Sequence, residues 1–400
     1  MGGEGSKKRV FILSSALPPS VGGAGVRALR TAENLSDSFD IKLITRTKSP
    51  ETELNFVSIA TQSNNDLSFF DRLYKYLIVF LILPFHSFLK FSFLKKPDLI
   101  HCFSVSWLGI CIYWFNRIFW KAPIMYELTL MGSDTPGSKR KWWFYRKMSD
   151  YCIYNADHIN AISPLLYNHL VDDLKFDESK VSLITNSVDT ERFKPVSEEE
   201  ELKLRESLGI DKDTFVIVTV AMVTKRKGYP LLLEVIKSLP NDFKFHWYFV
   251  GNFSSETQLK LVDDIKKQLK QIGKEDNINF TGYLMPDNYL NISDLFVFAS
   301  KREGLGTAVV EAMSCGLPVI CKKIDGITEF IYDDKHEGLI IESDDPKLFS
   351  SSIIKLSKDP GKRLRMGAIG RERVIRKFSL PIIIGKYKEL YERHFFVDEN

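Results

Sequence analysis

Glu303 and Glu311 stand eight positions apart in SKREGLGTAVVEAMSCGLPVI, Ser300 to Ile320, with Gly304 and Gly306 beside the first acid. The glycines let the backbone approach a ligand closely and take positive φ. The amides of Leu305, Gly306 and Thr307, and on to Val309, begin a helix and can face an anion. Glu311 follows about one turn in, its side chain directed back toward the helix start. A carboxylate there suits paired hydroxyls such as a ribose diol, Glu303 suits a sugar, and the amides between them suit a diphosphate. That layout describes a nucleotide-sugar. A plainer reading has Glu311 capping helix-start amides and Glu303 in solvent.

Two further stretches carry similar chemistry. In VAMVTKRKGYPLLLEVI, the pair Lys227-Gly228 follows an apolar strand and opens a helix, so the ammonium can meet a phosphate as a point charge. Alternatively, Lys225, Arg226 and Lys227 form a solvated basic turn. In PPSVGGAGVRAL, Gly22, Gly23 and Gly25 sit between the first strand and first helix, where amides can face a diphosphate. Arg27 and Arg30 share one face of that helix, for an acceptor phosphate or for the surface. Glu127, in APIMYELTLMGSD, is either a polar group at a reacting sugar or a partner of nearby loop amides. His101 and His158 read as strand-end or packing residues, and Asn186 as structural or near the donor.

The chain resembles the retaining glycosyltransferases of the GT-B fold, family 4 type. EGLGTAVVEAMSCGLPVI is similar to that family's E-x7-E signature with its following alanine, glycine and proline pattern. NADHINAISPLLYNHLVDDL with VSLITNSVDTERFKP resembles the segment that closes the family's first domain, and TGYLMPDNYLNISDLFVFAS its approach to the signature. RERVIRKFSL and YKELYERHF resemble its terminal helices. The resemblance covers nearly the whole chain. It implies that Glu303 contacts sugar hydroxyls, Glu311 holds the ribose, Lys227 serves the diphosphate, and Gly304, Leu305, Gly306 and Thr307 line the donor. Two positions depart from it: Met222 stands where an arginine is usual, with Arg226 a candidate to compensate, and Thr129 stands where many relatives have histidine.

These residues need a scaffold. RVFILSS, IKLITR, DLIHCFS, APIMYEL and HINAIS read as strands alternating with helices through the first half. FVIVTVAMV, FHWYFVG, INFTGYL, LFVFAS and LPVICKK do the same in the second. Strand and helix taking turns implies a parallel sheet covered on both faces. The expected fold is α/β, two doubly wound Rossmann-like domains facing a cleft at the carboxyl ends of their strands. The domains are expected at 1–195 on the acceptor side and 196–376 on the donor side, with 377–400 a helix packing back on the first. A linker is expected over Phe193–Glu201, its acids forming a solvated helix start.

The 400 residues suit two domains, and 44% hydrophobic with 26% charged residues is ordinary globular composition. A net charge of +4 permits anionic ligands without indicating nucleic acid. The five cysteines form no CxxC pair and read as buried thiols of a reducing compartment. No cofactor or metal is expected: Asp172-Asp173 and Asp333-Asp334 read as surface charge rather than a metal-holding DxD cluster. No signal peptide is visible, so the expected location is cytoplasmic. The apolar run Tyr74–Leu94, interrupted by Pro84 and flanked by lysines, is too short to span a bilayer and either lies on one or packs on a sheet. The aromatic runs WLGICIYWFNRIFW and KWWFYRK add to the membrane-surface reading, or mark a lipid-linked acceptor site, or belong to the core.

The expected activity is transfer of a sugar, with retention, from a nucleotide-diphosphate sugar to a glycan, glycolipid or other hydroxyl acceptor. The alternative is a non-catalytic binding module that keeps the donor pocket.

Overall fold

A computed structural model describes residues 7–18, 23–48, 50–59, 83–132, 134–138, 143–324, 328 and 338–396. Gly22, Asp333-Asp334 and the first part of Tyr74–Leu94 lie outside the described residues. The chain divides into two compact units, Met1–Asn186 with Ile383–Asn400, and Ser187–Ile382.

The first unit carries a seven-stranded sheet in the order β3-β2-β1-β4-β5-β6-β7, all pairs parallel. Its strands are β1 Arg9–Ser14, β2 Asp40–Thr45, β3 Phe56–Ser58, β4 Leu99–Cys102, β5 Ile124–Leu128, β6 His158–Ala161 and β7 Val181–Leu183. Alternate side chains feed two cores. Phe11 and Leu13 of β1 join Tyr126 and the helix residues Phe91, Tyr113 and Trp120 on one face. Val10 and Ile12 join Leu29 and Leu35 on the other. That second face is completed by Ile383, Tyr387, Leu390 and Tyr391 of the helix Leu380–Phe395. With both faces covered, the strands are largely buried and rich in apolar residues, as in Val10–Leu13 of β1.

The second unit carries a six-stranded parallel sheet in the order β10-β9-β8-β11-β12-β13. These strands are β8 Phe215–Val220, β9 Phe245–Val250, β10 Ile278–Gly282, β11 Leu295–Phe298, β12 Val319–Lys322 and β13 Gly338–Ile341. In each sheet the order reverses once, between β1 and β4 and between β8 and β11. Such a switch point leaves adjacent strand ends with loops diverging to opposite sides, and a crevice for a ligand.

The expected linker is not free chain. The Phe193 side chain is 2% exposed, and its carbonyl accepts from the Ser314 hydroxyl and from Arg371 at 3.1 Å. Val188 pairs with Ser379, its amide donating to the Phe378 carbonyl at 2.8 Å. The segment after Ser187 therefore docks on the second unit. The acid run does open a helix, Glu198–Ser207, with the Ser197 side chain capping the Glu200 amide. All five cysteines are buried, unpaired thiols.

Candidate functional site

At the switch point of the second sheet, β8 and β11 are paired, Ile217 against Leu295 and Val218 against Phe296. Their following loops meet. Thr224 caps a short 3-10 turn, Lys225–Lys227, through the Lys227 amide. Gly228 then takes φ +83°, and a β-carbon on it would stand 2.0 Å from the Ala299 carbonyl oxygen. Only glycine lets the two loops close this far. The Lys301 amide donates back to the Arg226 carbonyl at 2.8 Å, fixing the register of the approach.

The charged groups converge as a result. Lys227 Nζ lies 2.5 Å from Glu303 Oε1, and the Ser300 hydroxyl donates to the same oxygen at 2.7 Å. Arg226 lies 3.4 Å from it and also donates to the Arg302 carbonyl. The Lys227 and Glu303 side chains are 16% and 11% exposed. Burial lowers the Lys227 pKa, opposed by the charge and hydrogen bond of Glu303. Lys227 also stands 5.5 Å from the Phe298 ring centroid. Arg226 therefore points to the same carboxylate as Lys227, whereas Met222, which is 43% exposed, adds no charge.

Gly306 takes φ +71° at the head of the helix Thr307–Ser314 and, as a glycine, brings no capping side chain of its own. Leu305 is buried beneath this turn, while Gly304 and Thr307 are half-buried. Glu311 is half-buried and close enough to Arg192 to raise its pKa, after the larger effect of the hydrogen bonds from Arg192 to Asp287 at 2.8 Å. Ser300 and Thr224 escaped the sequence reading: a serine at a strand end and a threonine before a basic turn have no distinctive spacing.

The first unit brings together a different set. Glu127, on β5, has no exposed side-chain surface; its Oε1 pairs with Arg27 and its Oε2 accepts from the Tyr387 hydroxyl at 2.8 Å. His101 Nε2 lies 3.3 Å from Oε2, out of hydrogen-bond alignment, and His101 Nδ1 meets the Tyr391 hydroxyl at 2.6 Å. Burial would raise the Glu127 pKa, but the Arg27 charge, the close approach of His101 and the Tyr387 hydrogen bond together lower it. Burial lowers the His101 pKa against the pull of Glu127.

Glu127, expected at the reacting sugar or on loop amides, has its oxygens held by Arg27 and Tyr387. Arg27, which also donates to Asn186 at 2.7 Å, is turned inward rather than shown to the surface. His101 and His158 are buried on their strands. Thr129 spends its hydroxyl and its amide on Asp134. Gly25 is a packing glycine, since a β-carbon there would meet the Ala16 carbonyl oxygen at 2.0 Å; Gly23 meets nothing within 4 Å.

Two doubly wound parallel sheets, one with a lysine–carboxylate pair and a glycine-headed helix start at its switch point, define the class: a GT-B fold. The crystal structure of Anabaena Alr3699/HepE in complex with UDP and glucose shares this fold, at a TM-score of 0.79 and 18% identity over 96% of this chain and 99% of that one. The family model for glycosyl transferases group 1 matches residues 200–373, and that for glycosyltransferase family 4 matches residues 21–192. Each model covers less than half of the chain, and together they support a glycosyltransferase of the GT-B, family 4 type.

Among curated relatives, mannosylfructose-phosphate synthase of Agrobacterium fabrum is 26% identical over 56% of this chain. An Escherichia coli UDP-Gal:alpha-D-GlcNAc-diphosphoundecaprenol alpha-1,3-galactosyltransferase is 28% identical over 60%. The matches span only 51% and 59% of those relatives' own lengths. Among the described residues no helix is long and apolar enough to cross a membrane.

Proposed function

We propose that this chain transfers a sugar from a nucleotide-diphosphate sugar to a hydroxyl of a glycan or glycolipid acceptor, with retention at the anomeric carbon. The observation that carries the reading is Lys227 and Glu303 meeting at the β8–β11 switch point, just before the Gly306-headed start of Thr307–Ser314. A diphosphate drawn to Lys227 and to the helix-start amides releases Glu303 Oε1 from the ammonium, and the carboxylate then accepts from sugar hydroxyls. Glu311 holds the ribose diol.

As the bond from the anomeric carbon to the phosphate oxygen breaks, negative charge gathers on the leaving diphosphate, and Lys227 with the amides stabilises it. The acceptor hydroxyl attacks from the face the phosphate leaves, its proton passing to that phosphate oxygen, so the configuration is kept and no enzyme nucleophile is used. The Anabaena and Escherichia coli proteins, whose names carry UDP and UDP-galactose, make uridine donors the first to try.

The test is thermal unfolding of the protein and of Glu311→Ala against a panel of nucleotide-diphosphate sugars. A donor at about 100 times its dissociation constant stabilises the folded state by about 2.7 kcal/mol. One donor should raise the melting temperature, and Glu311→Ala should shrink the rise. NMR of the product's anomeric proton then reports retention or inversion. Stabilisation without transfer or donor hydrolysis would favour the binding-module reading, for which Met222 and the occupied Thr129 hydroxyl speak.

A further inference from the structure

One surface of the first unit exposes large apolar side chains among basic ones. The helix Leu83–Ser92 turns Phe88 and Phe91 inward, their ring centroids 5.2 and 5.4 Å from that of Phe115. Its outer side carries Phe85, 73% exposed, and Leu89, 50% exposed, four positions apart and so stacked on one face. Phe93, just beyond the helix, is 81% exposed. The adjoining turn Asn116–Trp120 adds Ile118 at 57% and Phe119 at 62%, and the Phe119 ring lies 4.6 Å from that same Phe115. Single exposed apolar residues are ordinary, but four on two elements sharing a packing residue, with Phe93 just beyond, mark an interaction surface.

The charge around them selects the partner. From 83 to 121 the exposed charged residues are Lys90, Lys95, Lys96, Arg117 and Lys121 against Asp98 alone. Asp98 is engaged, its carboxylate accepting from the Arg9 amide at 2.7 Å. A second copy presenting the same face would set these cations against each other, whereas an anionic surface neutralises them. We propose that this face docks on an anionic phospholipid surface. Phe85, Leu89, Phe93, Ile118 and Phe119 enter the boundary between headgroups and acyl chains, while the lysines and Arg117 meet lipid phosphates. The inference goes beyond sugar transfer and needs no donor to be bound.

The experiment is flotation of the full chain with vesicles of phosphatidylglycerol or of phosphatidylcholine. The protein should float with the anionic vesicles, severalfold more than with the zwitterionic ones, and less as salt is raised. Phe85→Ser with Phe119→Ser, and separately Lys90→Glu with Lys95→Glu, should each cut flotation severalfold while unfolding at the wild-type temperature. Leu364→Ser, at an exposed site of the second unit, should leave it unchanged. No flotation with either lipid, or flotation untouched by both double variants, overturns the proposal. So does a concentration-dependent dimer in light scattering that Phe85→Ser with Phe119→Ser abolishes, since a second copy would then be the occupant.

Discussion

The Tyr387 hydroxyl donates to Glu127 Oε2 at 2.8 Å across 260 residues of sequence, with both side chains buried. Tyr387→Phe should remove one donor from a carboxylate that water cannot reach, at a cost of about 1–3 kcal/mol. For a unit of this size that lowers the melting temperature by roughly 2–4 °C per kcal/mol. Calorimetry of the single variant checks it, and a melt within a degree of wild type would sink the idea. Combined with Glu127→Gln, the two losses should not add, because the groups share one hydrogen bond.

Lys227→Ala should lower kcat by about 100-fold or more, the usual scale for losing a preorganised group that faces developing charge. Lys227→Arg should recover only part, because a planar fork does not replace a compact ammonium in the space beside Glu303 and Ser300. Steady-state rates with saturating donor decide it. A kcat within threefold of wild type for Lys227→Ala would remove the residue from the reaction.

Acid should destabilise the fold through its buried histidines. Burial, with the charges of His394 and His101, pushes the His158 pKa from 6.5 down to about 4. The folded state thus binds the proton less readily than the unfolded one, so this contribution is whole above pH 6.5 and is lost as pH falls toward 4. The shift corresponds to at most about 3 kcal/mol. Burial lowers the pKa of His101 and His246 too, which adds slope in the same direction. Denaturant midpoints at descending pH measure the slope, and His158→Gln should flatten it.

Two glycines with similar dihedrals should respond differently to alanine. Gly209, at φ +67°, has nothing within 4 Å of an added β-carbon, and Gly209→Ala should cost only the left-handed strain of about 1–2 kcal/mol. At Gly228 the same carbon meets the Ala299 carbonyl, so Gly228→Ala should cost about 3 kcal/mol or more and move Lys227 away from Glu303. Urea melts of the pair, with donor binding of the second, make the comparison. Equal costs would mean that the contact relaxes freely.

The central strands were readable because burial on both faces demands unbroken apolar runs, as in Arg9–Ser14 and Phe215–Val220. Three strands were not read: Phe56–Ser58, Val181–Leu183 and Gly338–Ile341. Each ends a sheet and is three or four residues long, so each carries little pattern of its own. In the candidate site, Lys227 and Glu303 were legible from glycines that mark loops at strand ends. That they touch was not, because it depends on β8 and β11 being neighbours, 76 residues apart at the site. The partners of Glu127 were hidden for a related reason. A carboxylate at a strand end looks open until Arg27 and Tyr387, from distant helices, are seen to close over it.

The helix that supplies Tyr387 and Tyr391 also bears on synthesis. These side chains complete a core begun by Val10 and Ile12, and all of Ser187–Ile382 must be translated between the two. At ordinary elongation rates of about 5–20 residues per second, that interval is roughly 10 to 40 s. Through it, one face of the first sheet is covered only in part, by the helix of Leu29 and Leu35, and His101 and Glu127 lack their tyrosine partners, while the second unit, contiguous in sequence, needs no such wait. The half of the protein that is made first is thus the half that finishes folding last, and a nascent chain stalled anywhere before Ile383 leaves an unfinished hydrophobic sheet for chaperones to shield.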